Sequence, residues 1–565
     1  MARSEQHEGA TTLRGMKTRF AAPSLAALVI GLAVAGMAQS PAYAADDQQL
    51  QMLEDQIRQL QAQIDSLKKT QVADEQKTLT GPSLGSNKQA YGYETPSHQF
   101  GWVSADGRNS IELTGRLHFD VGSYLSVSPN NAYYPGDAAL GAQGAKNLDS
   151  GVNARRARIG VTGRFDQDFS YALIYDFGGS SDSFGSGLSG GSSGNSSSTP
   201  FSSNGGIENA YVSYNGFNNA NQSIPFVIDA GYQDIPWTLD EAMSSNDIMF
   251  MERSSAQVIA TTYWGGNDFR SAADIRSFNQ NYFAGLWLTG PQTGANHTFG
   301  TAASEQGIEQ SAVLARATYN PIIDNSVNET LHVGVDAGRI LSFPSGYGIA
   351  PGDRPELRID PTKIVGSAST IPATGGNVIG AELAGSYDHF FAMGEYWFMD
   401  LDQTSNILLP AGATATTVKK GGPDPTLNFN GGYLQASYAL GGERHYNASS
   451  GSYTGVIPDK DFTLASGGGA WEFAIRGSYV DMNSNFSPVA ASTGGILAGH
   501  LATGGFNGGK QVGVNVGVNY YFSPNLRIML DYVHEDIYDL YNQGIKTQPI
   551  GTTIDAIAGR FQVAW

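Results

Sequence analysis

The stretch Asn153-Ala154-Arg155-Arg156-Ala157-Arg158-Ile159-Gly160-Val161-Thr162-Gly163-Arg164-Phe165 decides how the rest of the chain is read. A strand sends successive side chains to opposite sides. In alternate positions Arg156, Arg158, Thr162 and Arg164 share one face, and Ala157, Ile159, Val161, Gly163 and Phe165 share the other. A soluble sandwich would bury the apolar face and leave the arginines in bulk water. An outer-membrane barrel would turn the apolar face to lipid and line a channel with guanidiniums.

The same alternation recurs on either side. Ile111, Leu113, Leu117, Phe119 and Val121 oppose Glu112, Thr114, Arg116, His118 and Asp120, and Val512, Val514, Val516 and Val518 oppose Gln511, Gly513, Asn515 and Gly517. Sixteen candidate strands begin near residues 110, 153, 169, 207, 224, 257, 268, 310, 330, 377, 390, 431, 469, 510, 526 and 553. Tight turns at Asp166-Gln167-Asp168, Gly265-Gly266-Asn267 and Ser523-Pro524-Asn525 alternate with long Gly, Ser and Asn-rich loops such as 178–206 and 483–509. Short turns at one end and long loops at the other mark an outer-membrane barrel. The link 441–468 breaks the pattern, being long where a short turn is expected. At the C-terminus Phe561, Val563 and Trp565 alternate, which resembles the terminal strand signal of outer-membrane proteins. The expected fold is all-β: a 16-stranded antiparallel transmembrane β-barrel over 110–565, behind a short N-terminal periplasmic coiled-coil helix.

Composition agrees. A chain of 565 residues would ordinarily hold several soluble domains, but a single barrel grows by circumference. Mean hydropathy is −0.24, because the lumen-facing half of each strand is polar. The net charge of −19 argues against nucleic acid as a partner. The absence of Cys fits an exported protein without a disulfide framework.

Residues 1–44 read as a signal peptide: a basic start at Met16 to Arg19, an apolar core from Ser24 to Met37, and the cleavage site Ala42-Tyr43-Ala44, with 1–15 an upstream extension. Within 45–72, Leu50, Leu53, Ile57, Leu60, Ile64 and Leu67 form a heptad seam. An amphipathic helix on a surface is the alternative. Ile and Leu in this arrangement favour two strands. Residues 73–109, with Gly81-Pro82, read as a polar linker.

An ordered set of short motifs carries a resemblance: Gly115-Arg116-Leu117, Arg155-Arg156-Ala157-Arg158, Tyr175-Asp176-Phe177, Glu208-Asn209-Ala210-Tyr211-Val212, Leu239 to Ser245, Met251-Glu252-Arg253, Gly469-Ala470-Trp471-Glu472 and Asn525-Leu526-Arg527. Together they resemble the phosphate-selective porin O and P family from about residue 110 to the C-terminus. The resemblance implies a trimeric sixteen-stranded barrel that passes anions, phosphate or polyphosphate, through an arginine-lined constriction. By it, Arg116, Arg156 and Arg253 are constriction arginines with Arg155 adjacent, Glu208 is a constriction carboxylate, and Ser244 and Ser245 are hydroxyl donors. Glu208 shares strand parity with Ala210 and Val212, so alternation alone points it outward. Glu241 and Asn246 stand where the family carries lysines, and Arg158 and Asp234 replace an aromatic pair. Lumen-facing acids such as Asp274, Glu382, Glu395 and Asp531 mix with Arg270, Arg316, Arg476 and Arg560. A weakly selective or neutral-solute porin, including one for sugars, therefore stays open beside the anion reading.

The chemistry is passive. Guanidiniums replace part of the hydration an anion loses in a narrow bore, and Arg keeps its charge and offers a planar fork. No cofactor or metal is expected: there are nine His, no Cys and no HExxH spacing. A lipase-like barrel enzyme would need a G-x-S-x-G or Ser/His constellation, which is missing. A purely structural barrel tethered to the envelope is the other rival. Trp264, Trp397 and Trp471 read as interface anchors.

Overall fold

The computed structural model describes residues 90–95, 99–128, 148–178, 206–219, 225–265, 269–292, 311–342, 348–360, 362–366, 371–403, 426–484, 506–541 and 549–565. The expected leader, the expected coiled coil and the first part of the expected linker lie outside the described residues. Two short strands, Tyr91–Glu94 and Phe100–Val103, pair with each other in what the sequence suggests is linker, and the second continues onto the strand that follows (Val103 opposite Ser110).

Sixteen antiparallel strands then close on themselves. They are β1 (Ser110–Ser128), β2 (Gly151–Phe165), β3 (Phe169–Asp176), β4 (Gly206–Tyr214), β5 (Val227–Asp234), β6 (Phe269–Phe278), β7 (Tyr282–Gln292) and β8 (Ser311–Asp324). β9 (Glu329–Ser342), β10 (Ile371–Tyr387), β11 (Phe390–Gln403), β12 (Thr426–Leu440), β13 (Ala470–Ser484), β14 (Phe506–Ser523), β15 (Leu526–Tyr541) and β16 (Pro549–Ala564) complete the wall. Closure runs through β16 against β1, with Phe561 opposite Phe119 and Arg560 opposite Asp120, so no sheet edge is left open. No helix among the described residues is long and apolar enough to cross a membrane; the crossing is made by strands.

Alternation sorts the wall as the sequence predicts. Leu117, Phe119, Ile159, Leu173, Val514 and Leu530 are exposed on the outside, while His118, Asp120, Arg158, Asn515 and Asp531 are buried within. Aromatic rings gather at the short-turn end. Phe165 stacks on Phe169 at 5.0 Å, Phe169 meets Tyr214 at 5.1 Å, and Trp471 meets Tyr520 at 4.7 Å, a girdle of amphipathic side chains at the membrane interface. Trp264 and Trp397 do not belong to it. Both are buried inside the barrel, donating to the Asp400 carbonyl and the Asp336 carboxylate.

The strand count agrees with expectation, but two assignments exchange places. The run beginning at 257 is not a strand. Ser254 accepts from the Gln257 N–H and starts the helix Ser255–Ile259, which passes into the π-helical turn Ala260–Gly265. Val258, Ile259, Thr261, Tyr263 and Trp264 have strand-like propensity, but packing inside the barrel overrides it. The unpredicted strand is β7. It follows a tight turn in which Asn279 Oδ1 accepts from the N–H groups of Asn281 and Tyr282, the local bonding that favours Asn in turns.

Three segments fold into the bore. Residues 235–265, from the long-loop end, form an inward loop with the helix Leu239–Ala242, capped by Thr238. Its Trp237, Leu239, Met249, Phe250 and Ile259 join wall residues Trp287, Leu314, Trp397 and Phe429 in an apolar core within the barrel. Residues 348–366 enter from the same end. There Glu356 accepts from Ser255 N–H (2.9 Å), Arg476 Nη2 (2.7 Å), Ser478 Oγ (2.7 Å) and Asn515 Nδ2 (2.9 Å). Residues 441–469 rise from the short-turn end, which accounts for the length of that link. Arg444 grips Glu472 with two bonds (2.6 and 2.9 Å) and donates to the Asp247 carbonyl (2.6 Å). Arg316 holds the carbonyls of Ser450 and Gly451 at 2.8 and 2.7 Å.

Candidate pore constriction

The arginine stripe is built on the β1–β2 pair. Arg116 stands opposite Arg158, and His118 opposite Arg156. Between His118 and Phe119 the register slips, and Arg155 is the extra residue on β2. Such a bulge re-aims a side chain. Arg155 and Arg156 are therefore both buried inside, although strict alternation would send Arg155 to lipid. A second slip, between Ile174 and Tyr175 of β3, leaves Glu208 unpaired on β4. Ile207 is exposed outside and Glu208 is fully buried inside. The parity that points Glu208 outward holds for a regular strand and fails at this bulge.

Two arginine groups result. The upper one is a packed seam between wall and inward loop. Arg155 donates to both oxygens of Glu252 (2.7 and 3.0 Å). Arg560 donates twice to Asp120 (2.7 Å each), to the Met251 carbonyl (2.6 Å) and to Glu252 (2.9 Å). Arg358, from the second inward segment, pairs with Asp353 at 3.1 Å and lies 3.6 Å from Glu252. Burial alone would raise the Glu252 carboxyl, but the guanidiniums of Arg155, Arg560 and Arg156 hold it well below the usual carboxylate range. Arg156, 2 % exposed, meets His118 Nδ1 at 3.4 Å, and His118 in turn meets Asn246 at 3.0 Å. Among the described residues no carboxylate is in ion-pair contact with Arg156.

The lower group opens on a chamber of about 440 Å³ that Arg116, Arg158, Glu208, Asp234, Ser244, Asn246 and Asp247 help to line. Arg116 donates to Ser244 Oγ (3.0 Å) and to Ser245 Oγ, so three residues singled out in the sequence meet. Arg158 is spent on acids: Asp176 at 3.0 Å and Glu208 at 2.5 Å, with the Phe269 ring 5.1 Å from its guanidinium carbon. Two like charges directly across a strand pair are unfavourable by a few tenths to about 1 kcal/mol. Here the acids relieve Arg158, while Arg116 is held by hydroxyls, with Glu208, Asp247 and Asp234 acting on it only at longer range.

Arg253 does not join either group. Its guanidinium turns into the inward loop, donating to the carbonyls of Asp240 (3.2 and 3.1 Å) and Met243 (2.8 Å), with Glu241 at 3.7 Å. It clamps the C-terminal end of the helix Leu239–Ala242, whose last carbonyls have no partners within the helix. Glu241 accepts from Gln257 at 2.6 Å. Sequence reasoning missed the roles of Asp176, Glu252 and Asp247. Glu252 lies in one of the resembling motifs, whereas nothing local marks Asp247.

Among solved structures the chain is similar to OmpT of Vibrio cholerae in its trimer form (TM-score 0.40, 10 % identity, 81 % of this chain and 99 % of that one). It is also similar to the anion-selective porin of Comamonas acidovorans (0.39, 13 %, 81 % and 100 %) and to the channel DcaP of Acinetobacter baumannii (0.38, 10 %, 83 % and 99 %). Comparison with curated proteins finds no match. The family model for phosphate-selective porins O and P matches residues 131–565, well over half of the chain, and the chain belongs to that family of outer-membrane porins.

Proposed function

We propose that the channel passes small solutes with a preference for anions, phosphate or polyphosphate among them, and that Arg116 is its principal selectivity residue. The observation that carries this reading is the Arg116 guanidinium. It faces the chamber, held by two serine hydroxyls, with no carboxylate in ion-pair contact among the described residues. A fixed charge of this kind replaces hydration for an incoming anion, and its fork suits phosphate oxygens. The seam of Arg155, Arg156 and Arg560 adds positive potential above the chamber, and its carboxylates limit how tightly an anion is held. Arg253 acts in this reading by fixing the loop. The channel role is passive, with no reaction assigned to any residue.

The same reading places three copies in the assembly, residues 1–44 as the leader and 45–72 as a periplasmic coiled coil. Deleting 45–80 is then expected to spare conductance. A second reading, a weakly selective or neutral-solute porin, draws on Glu208, Asp234 and Asp247 in the chamber wall. The test is chloride current through the purified mature protein in a planar bilayer, with inorganic phosphate added. Anion preference with phosphate lowering the chloride current supports the first reading. Equal ion permeabilities with no phosphate effect favour the second.

A further inference from the structure

The chamber beside Arg116 is also lined by the carboxylate of Asp247. Ser244-Ser245-Asn246-Asp247 is a single turn, closed by the Asp247 N–H donating to the Ser244 carbonyl at 2.7 Å. Its two hydroxyls hold Arg116, and its last residue brings a carboxylate to the same wall. Among the described residues no cation is in ion-pair contact with the Asp247 carboxylate. The neighbouring arginines direct their hydrogen bonds elsewhere and act on this carboxylate only through space, while the Gly455 N–H donates to it. Arg444 is neutralised by Glu472 and reaches only the Asp247 backbone carbonyl. Arg527 donates to Gln562 Oε1 (3.0 Å), the Ile248 carbonyl (2.9 Å) and the Tyr521 hydroxyl (3.0 Å). Arg158, the other guanidinium of the chamber, is taken up by Asp176 and Glu208. One guanidinium and one carboxylate, neither in an ion-pair contact among the described residues, thus line one chamber, each within electrostatic reach of the other but not bonded to it.

We infer that the chamber is a seat for small zwitterions, molecules such as amino acids that carry a carboxylate and an ammonium a few ångströms apart. The carboxylate takes the open side of Arg116, and the ammonium takes Asp247. Inorganic phosphate can satisfy the first contact only, and its negative charge is repelled by the second. A neutral solute of equal size satisfies neither. The two charges are carried by different elements, Arg116 by β1 and Asp247 by the inward loop. The loop geometry therefore sets their separation, and with it the length of the preferred solute. This inference rests on the porin reading and narrows it from anions in general to solutes with both signs.

The test is swelling of liposomes that contain the full mature protein, in glycine and in its uncharged isomer glycolamide. Glycine should enter about threefold faster, the weight of one weakly screened charge contact in water-like dielectric. Asp247→Asn should bring the ratio to about one without slowing glycolamide. Should that variant fail to assemble, raising the salt on both sides of wild-type liposomes to 1 M is expected to erase the ratio, since the Debye length falls to about 3 Å. Equal rates for the two isomers in wild type, or a ratio that survives Asp247→Asn or 1 M salt, would overturn the proposal. Anion preference is read separately from reversal potentials. Its loss with the glycine ratio intact would sink the anion reading and support the zwitterion seat.

Discussion

Glu252→Gln removes one negative charge from the middle of the arginine seam while keeping the side-chain shape. In the structure the Glu252 carboxylate receives two bonds from Arg155 and one from Arg560, with Arg358 at 3.6 Å. The seam then passes from four guanidiniums (Arg155, Arg156, Arg358, Arg560) against three carboxylates (Asp120, Glu252, Asp353) to four against two. A unit charge about 8 Å from the path of an ion in water-like dielectric is worth about 0.5 kcal/mol. It lowers the energy of an anion and raises that of a cation by that amount. The two shifts total about 1 kcal/mol, or about a fivefold rise in the anion-to-cation permeability ratio. The assay is the reversal potential of single channels in a chloride gradient, repeated near 0.1 M and 1 M salt. At the higher salt the Debye length is about 3 Å, so the increment should nearly vanish. An unchanged ratio at low salt would show that the seam does not border the ion path. A shift of equal size at both salts would show that the variant reshaped the bore rather than recharged it.

Other perturbations separate structural from selective arginines. Arg253→Ala deletes three hydrogen bonds to loop carbonyls. It should lower thermal stability by about 3 kcal/mol while leaving anion preference in place; a lost preference with unchanged stability would reverse that assignment. Glu356→Ala leaves Arg476 buried without its acid, a loss of about 3–5 kcal/mol for the docked segment 348–366. Single-channel conductance should rise as that segment releases, and a folded barrel of unchanged conductance would contradict its role as filler. Acid should leave the seam intact over a wide range. Because the folded-state pKa of Glu252 is held well below the ordinary 4.5, its stabilisation is fully present above that value and is lost only as pH falls through the lower one. Anion preference that already rises, as it should in Glu252→Gln, while the pH is still above 4.5 would show that Glu252 is not held ionised in this way.

The wall was legible in the sequence because a barrel strand repeats one instruction, apolar outward and polar inward, and β1 and β14 follow it without interruption over their central residues. The C-terminal Phe561, Val563 and Trp565 likewise pointed to the closing strand, and Trp565 exchanges backbone bonds with Gly115 of β1. Two kinds of feature were not legible. A bulge moves one residue against the pattern, and nothing local distinguishes Arg155 or Glu208 as the extra residue of its pair. The inward segments were opaque because their helices and turns are set by what surrounds them. Residues 255–265 carry β-branched and aromatic side chains that would suit a strand, yet they pack as helix against Phe429 and Trp397. The surroundings of Arg253 were opaque for the same reason. An arginine in a loop has no parity, and only the folded loop shows that its guanidinium is turned back on the loop's own carbonyls.

The most direct measurement is the reversal potential of the purified mature protein in a potassium chloride gradient, wild type beside Arg116→Gln. A wild-type potential of the sign set by chloride, moved toward zero by the substitution, is the predicted result. A potential of the sign set by potassium, or a chloride preference that Arg116→Gln leaves untouched, would contradict the claim that a guanidinium on β1, free of direct ion pairs, selects what passes.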